Sequence, residues 1–192
     1  MKVLVVYAHP YSGSFNNALC KEYIDGLRET GHVYDLIDLY ADYFNPVLKA
    51  EDFQLFQQGK AADDIAKYQE KVLWADAMVF ICPVWWFSIP AVLKGWIDRV
   101  FSIGFAYGYG ENGLVGLLKH QKVVIIQTCG GTEDAYENYG FKAGMEKSID
   151  DGIFRFCGIQ NVQHEFLYNV IATTDEVRKG YLAKVKELAS SI

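Results

Sequence analysis

The hydrophobic residues fall into two kinds of run. Short continuous stretches occupy residues 2–8 (Lys-Val-Leu-Val-Val-Tyr-Ala), 77–81 (Ala-Met-Val-Phe-Ile) and 121–127, which holds Val-Val-Ile-Ile. Runs of this length and β-branched content predict strands buried on both faces, as in a parallel sheet. Residues 32–39 alternate imperfectly and predict a second strand, and residues 161–168 predict another. Between the strands the apolar positions recur at helical spacing. Residues 16–30 form one such segment, and Gly31 stops it. Ile65, Tyr68, Val72 and Leu73 share a face within 63–75. Ala91, Leu93, Ile97 and Val100 continue the pattern, as do residues 145–156 and 175–189. Five strands alternating with five helices predict an α/β, doubly wound parallel sheet with helices on both faces. Residues 41–61 form a connection longer than usual. It reads as a solvated excursion, as a wall over part of a ligand, or as an arm onto a partner subunit.

Composition narrows the class. At 192 residues, 51% of them hydrophobic, the chain suits one globular domain over 1–192 with a full-sized core. The formal net charge is −6 and no basic run occurs, which argues against a nucleic-acid partner. Cys20, Cys82, Cys129 and Cys157 form no C-x-x-C pair and suggest reduced thiols rather than zinc or disulfides. No apolar run approaches the ~18–20 residues that span a bilayer. The apolar N-terminus is a first strand rather than a signal peptide, so a cytoplasmic location is expected.

Three loops carry the candidate chemistry. After the strand 77–81, Pro83 ends the ladder because it has no N–H. Val84, Trp85, Trp86 and Phe87 follow, then Ser88 as a candidate N-cap and Pro90 in a first helical turn. Aromatics in a strand-to-helix loop stand where open α/β sheets bind ligands, and flat apolar residues suit a flat ligand. The bland alternative is a cluster that closes the core. The loop after the first strand, with His9, Ser14, Phe15 and Asn16, leads into a helix N-terminus, a ready anion site. It is neither G-x-G-x-x-G nor a Walker A sequence, which disfavours a dinucleotide Rossmann site and a P-loop. Thr128, Cys129, Gly130 and Gly131 end the strand 121–127, and the glycines let backbone N–H groups approach a ring system. Phe105, Tyr107 and Tyr109 stand among glycines at 102–110 and suggest a mobile rim, or simply rings packed under a loop. No Ser-His-Asp pattern, metal cluster or carboxylate pair competes with these loops.

Residues 83–101 (PVWWFSIPAVLKGWIDRVF) resemble the isoalloxazine-loop signature of the flavodoxin-like NAD(P)H:quinone oxidoreductases, the DT-diaphorase family. The resemblance extends to His9-Pro10-x-x-x-Ser14-Phe15-Asn16, to Asp38-Leu39-Tyr40-x-x-x-Phe44-Asn45-Pro46, to the Phe-Ala-Tyr-x-Tyr loop, and to Gly130-Gly131 with Tyr136 beyond. It covers nearly the whole chain, although the C-terminal extension of the longer diaphorases has no counterpart. It implies a flavodoxin-like five-stranded sheet, order 2-1-3-4-5. It also implies a flavin: FAD, because the long connection resembles that of FAD users, with FMN as the alternative. NAD(P)H would be the reductant, and a quinone-like small molecule the acceptor, in a ping-pong hydride transfer.

By the same resemblance His9, Ser14, Phe15 and Asn16 bind the flavin phosphate. Pro83, Val84, Trp85, Trp86, Phe87, Thr128, Cys129, Gly130, Gly131 and Tyr136 bind the ring. Tyr107 and Tyr109 stand beside the flavin of the neighbouring subunit of a homodimer. Tyr136 and Lys142 meet the negative charge of the reduced ring. Lys142 stands where the diaphorases carry His, and a Lys shuttles protons less readily near neutrality. The other reading is a flavodoxin-type electron carrier or a regulatory flavin-binding subunit, as of a potassium efflux system. The Tyr107/Tyr109 loop and the Trp85-Trp86-Phe87 wall favour an enzyme, because they enclose a second planar molecule.

Overall fold

The β-branched runs pair as the pattern predicts. A computed structural model describes all 192 residues. Strands β1 (Lys2–Tyr7), β2 (Val33–Asp38), β3 (Ala77–Pro83), β6 (Lys122–Thr128) and β7 (Val162–Leu167) form one sheet in the order β2-β1-β3-β6-β7, all parallel. This is the expected 2-1-3-4-5 order of a flavodoxin-like fold once the intervening hairpin is set aside. Strand β3 is buried throughout. Its side chains alternate, with Met78, Phe80 and Cys82 on one face and Val79 and Ile81 on the other. Edge strand β2 exposes Val33 and Leu36, which explains its imperfect alternation.

Helices α1 (Phe15–Glu29) and α7 (Asp175–Leu188) cover one face over a 15-residue core. Helices α3 (Asp63–Trp74) and α4 (Ala91–Val100), with a segment after β6, cover the other over a 31-residue core. There Trp96 is fully buried among Tyr68, Phe80 and Phe101. No helix is long and apolar enough to cross a membrane.

The structure corrects several local expectations. The connection 41–61 contains a helix, α2 (Ala50–Gln57), and is fastened down. Buried Arg99 of α4 holds Asp52 with Nε at 3.1 Å and an Nη at 3.0 Å. It also reaches Asp64 at 2.9 Å and the carbonyl of Asn45 at 3.0 Å. Pro46 lies on Gly95, where a Cβ would come within 2.2 Å of its carbonyl oxygen. Residues 102–110 are more regular than a loop. They lead into a hairpin of β4 (Tyr107–Gly110) and β5 (Gly113–Gly116), turned through Gly113 at φ 112°. A short helix, α5 (Glu133–Asn138), follows β6. The helix expected at 145–156 begins earlier, as α6 (Phe141–Met145), and continues as a π-helical segment over Glu146–Arg155. Ser88 does not cap α4: Pro90 holds that position, and Ser88 closes a turn with Trp85.

Candidate functional site

Three loops meet at the carboxyl edge of the sheet, after β1, β3 and β6. From neighbouring β1 and β3 the chain departs in opposite directions, which opens a crevice between their ends. The β1 loop ends at Ser14, whose Oγ accepts from the N–H of Asn17 at 3.1 Å and lies 3.3 Å from the hydroxyl of Tyr7. The first N–H groups of α1, including those of Phe15 and Asn16, have no acceptor within the helix and face outward with the positive end of its dipole. The side chain of Asn16 is buried. Its Nδ2 donates to Thr128 Oγ1 at 2.9 Å, and its Oδ1 meets no partner. This bond ties the β1 loop to the end of β6. His9 accepts the N–H of Tyr11 at Nδ1, 3.1 Å, and burial holds its pKa below the ordinary value. The neutral ring therefore carries its proton on Nε2 as a donor.

The β3 loop is strained. Trp85 N–H donates to Ser88 O at 3.1 Å and Ser88 N–H donates to Trp85 O at 3.2 Å, so the two residues close a tight hairpin turn. Its central residues, Trp86 and Phe87, have φ of 51° and 53°. Two left-handed residues define a type I′ turn, ordinarily built from Asn and Gly. For bulky side chains each costs about 1–3 kcal/mol. Phe87 is held by its stack on Phe141, 3.6 Å between centroids and 22° between planes, and by the edge of Tyr136 at 5.7 Å. Trp85 tilts towards His9 at 6.1 Å. Trp86 packs on nothing: it is 95% exposed. Strain spent to hold an indole in water marks a contact surface.

The β6 loop carries Cys129, Gly130 and Gly131. The N–H of Asn169 donates to Gly131 O at 2.8 Å, and the N–H of Val170 to Cys129 O at 3.1 Å, which fixes the loop against the end of β7. At Gly131 a Cβ would press the Tyr136 ring at 3.2 Å, so the glycine here serves the tyrosine's approach. Burial, with Cys129 beside it, pushes Tyr136 up to about 12, and burial likewise pushes the Cys129 thiol to about 12. Both groups hold their protons at neutral pH.

His9, Ser14, Phe15 and Asn16 thus lie in one loop, Pro83 to Phe87 in a second, and Thr128 to Gly131 with Tyr136 in the third. The remaining three expected residues lie apart from this cluster. The ammonium of Lys142 is bonded to Glu137 at 2.8 Å. Tyr107 packs on Phe156 at 5.4 Å, and Tyr109 projects from the hairpin, exposed. Tyr107 lines a groove of about 560 Å³ running from Ser88 and Ile89 along α4 to Phe156. A second groove of about 560 Å³ lies between Phe53 and Phe56 of α2 and the β4 side. Sequence reading missed Phe141, which clamps Phe87. It follows the left-handed Gly140 in no periodic pattern, and only that glycine marks the chain's return to the site.

A family model described as the flavodoxin-like fold matches residues 1–189. The chain is 34% identical over 183 residues to an uncharacterized NAD(P)H oxidoreductase of Haemophilus influenzae, covering 95% of this chain and 91% of that protein. It is 32% identical to NAD(P)H dehydrogenase (quinone) 1 of Cavia porcellus, covering 100% of this chain and 77% of that one. The solved NAD(P)H:quinone oxidoreductase from Methanothermobacter marburgensis superposes with a TM-score of 0.90 at 30% identity, over 100% of this chain and 96% of that one. Strand order, the three loops and this full-length similarity agree: the chain belongs to the flavodoxin-like NAD(P)H:quinone oxidoreductase family and is an oxidoreductase.

Proposed function

We propose that the protein binds a flavin along the carboxyl edge of the sheet and passes hydride from NAD(P)H to quinone-like acceptors in two half-reactions at one site. The observation that carries this reading is the strained Trp85–Ser88 turn, which presents an unpacked Trp86 while Trp85 tilts towards His9 of the β1 loop. The residues fit the group. The N-terminus of α1 suits a phosphate, the side-chain amide of buried Asn16 has a free end, and Trp85, Trp86 and Phe87 offer ring faces. When bound, the flavin supplies acceptance and donation of hydride.

The chain supplies the rest. His9 offers Nε2–H, and Ser14 fixes the helix end. Asn16 and Thr128 hold two loops in register. Tyr136 remains a neutral donor, and the backbone N–H groups of Gly130 and Gly131 would meet the edge of a bound ring. Lys142, held by Glu137 in this conformation, would have to exchange that partner to reach a bound ring. FAD is favoured over FMN by the fastened 41–61 excursion, which adds a wall for an adenosine. Exposed Tyr109 and the grooves along α4 support a homodimer in which Tyr107 and Tyr109 complete the partner's site. A cytoplasmic setting suits the four reduced thiols.

The test is an absorbance spectrum of the purified protein, followed by anaerobic NADH or NADPH and then a quinone. The flavin band is expected to bleach with the nicotinamide and return with the quinone. A protein that takes up neither FAD nor FMN sinks the reading. One that binds flavin but is reduced by neither nicotinamide is an electron carrier or regulatory subunit.

A further inference from the structure

One layer below the carboxyl edge, on the α4 side of the sheet, four polar side chains stand in line. Asp150 of the π-helical segment meets His164 Nδ1 at 2.8 Å. His164 Nε2 meets Gln127 Oε1 at 2.9 Å, and Gln127 Nε2 donates to Cys82 Sγ at 3.6 Å. Gln127 and Cys82 are fully buried, and the side chains of His164 and Asp150 are 2% and 7% exposed. Burying an imidazole, an amide and a carboxylate in an otherwise apolar face is costly unless every member is paired. The π-helical segment is what brings Asp150 inward; Asp151, next in sequence, turns out to Lys147 and Arg155.

The pairing has two solutions. As the Gln127 amide stands, His164 faces an oxygen at each ring nitrogen. Both nitrogens then donate, and the ring is an imidazolium paired with Asp150. With the amide reversed, its NH₂ donates to His164 Nε2, and its oxygen accepts the S–H of Cys82. The ring is then neutral, still donating from Nδ1 to Asp150. The two arrangements differ by one proton and by the sense of the Cys82 bond. Burial pushes the Cys82 thiol up to about 12, so it keeps its proton in both.

The groups around the ring leave Asp150 as its direct charged partner. Phe166 stacks on it at 4.0 Å. Glu165, adjacent on β7, is held by Lys184 of α7 on the far face. Cys129 lies one layer above, just past the end of β6, protonated.

The last two members of the line run into the loops. Cys82 precedes Pro83 and the strained turn. Gln127 precedes Thr128, whose hydroxyl accepts from Asn16 and whose carbonyl accepts the N–H of Val84 at 2.8 Å. We infer that Asp150, His164 and Gln127 are positioning residues: the proton on His164 sets the Gln127 amide and, through Cys82 and Thr128, the seating of two flavin loops, which links flavin affinity to pH. This rests on the flavin reading above. The sign follows from charge. With His164 protonated the pair is neutral; deprotonation leaves a lone carboxylate beneath an anionic ligand. Affinity therefore falls when His164 gives up its proton.

Three measurements on the full chain test it: ¹⁵N NMR of labelled histidine, the infrared S–H stretch assigned by its loss in Cys82→Ala, and titration with FAD and FMN across pH. In the wild type the S–H band is expected to shift with the same midpoint as His164, and flavin affinity to fall about fivefold across it. Asp150→Asn removes the ring's charged partner and should move the S–H midpoint and the affinity midpoint together. Gln127→Met should leave the S–H band flat and reduce the pH dependence of the affinity to the part that the bare Asp150 charge exerts directly. An S–H band that ignores His164 overturns the inference, as does a flavin affinity in the wild type that is flat across the titration. If neither flavin binds, it is the flavin reading that fails, and the NMR and infrared measurements still decide the proton-linked amide.

Discussion

The two faces of the sheet bury very different things. Under α1 and α7 the core is apolar side chains from Val3, Val5, Val79, Ile81, Val124 and Ile126. Seven polar or charged residues are buried whole in the molecule. Five of them, Asp52, Arg99, Ser102, Gln127 and Asp150, lie on the α3/α4 side. Asn16 and Thr128 sit at the rim of the other face, where they join two site loops. The α1/α7 face is a packing surface. The α3/α4 face also fastens the excursion and carries the His164 line under the site. Polar groups tolerated in a core at this cost mark where geometry must be held rather than merely filled.

The sharpest way to break that contrast is Asp52→Ala. It strands the buried Arg99 guanidinium with Asp64 and one carbonyl, and should cost about 3–5 kcal/mol in urea unfolding. Less than 1 kcal/mol would show that water replaces the carboxylate and that the excursion is not fastened. A pH dependence accompanies it. Burial would raise the Asp52 pKa, but the Arg99 guanidinium outweighs it and holds the carboxyl below its usual value. The stability this contributes is present above the ordinary carboxylate range and is lost as pH falls through the lowered folded value. Asp52→Ala should therefore flatten the acid limb of a stability–pH curve.

On the packing face the matching change is Gly26→Ala. Its Cβ would come within 2.5 Å of the carbonyl oxygen of Lys186 and 2.8 Å of the Ala189 Cβ. Helices α1 and α7 must part, at about 1–3 kcal/mol, with flavin affinity unchanged. A loss of flavin binding on this substitution would show that the packing face also shapes the site.

The same contrast explains what could be read in advance. Strand runs such as 77–81 are legible because burial on both faces demands unbroken apolar residues, and that demand is local. Helix α2 has no clear period because what fixes it is the distant Arg99, 47 residues from Asp52. The Trp85–Ser88 turn was hidden for the opposite reason: its residues contradict the type I′ preference for Asn and Gly, and only the stack of Phe87 on Phe141 makes the conformation hold. The three loops of the candidate site were singled out by resemblance. The His164 line was not, since a period-2 strand pattern records that position 164 faces inward but not what it meets there.

Trp86→Asn separates stability from function within one residue. Asn tolerates φ near 51°, so the fold should gain about 1 kcal/mol, read as a higher urea midpoint. Flavin affinity should drop about tenfold with the loss of the indole face. Unchanged affinity would remove Trp86 from the site and leave its strain without a functional account.

The smallest effect is expected at Lys142. Its ammonium is bonded to Glu137, and that bond raises its pKa. A partly exposed ion pair is worth about 0.2–1 kcal/mol, so exchange of Glu137 for the cofactor is cheap, and the rate at stake is no more than about fivefold. Stopped-flow reduction by NAD(P)H should be slower by up to that factor in Lys142→Ala, with flavin affinity intact. Glu137→Gln frees the ammonium and should move the rate the other way. Opposite signs in the two variants would identify Lys142 as a charge that reaches the ring. Unchanged rates in both would leave the work to neutral donors, the backbone N–H groups of Gly130 and Gly131 and the hydroxyl of Tyr136, whose proton is secure to about pH 12. Reduction would then be nearly independent of pH from the β6 side of the site, which leaves His9 of the β1 loop as the titrating group among the three loops.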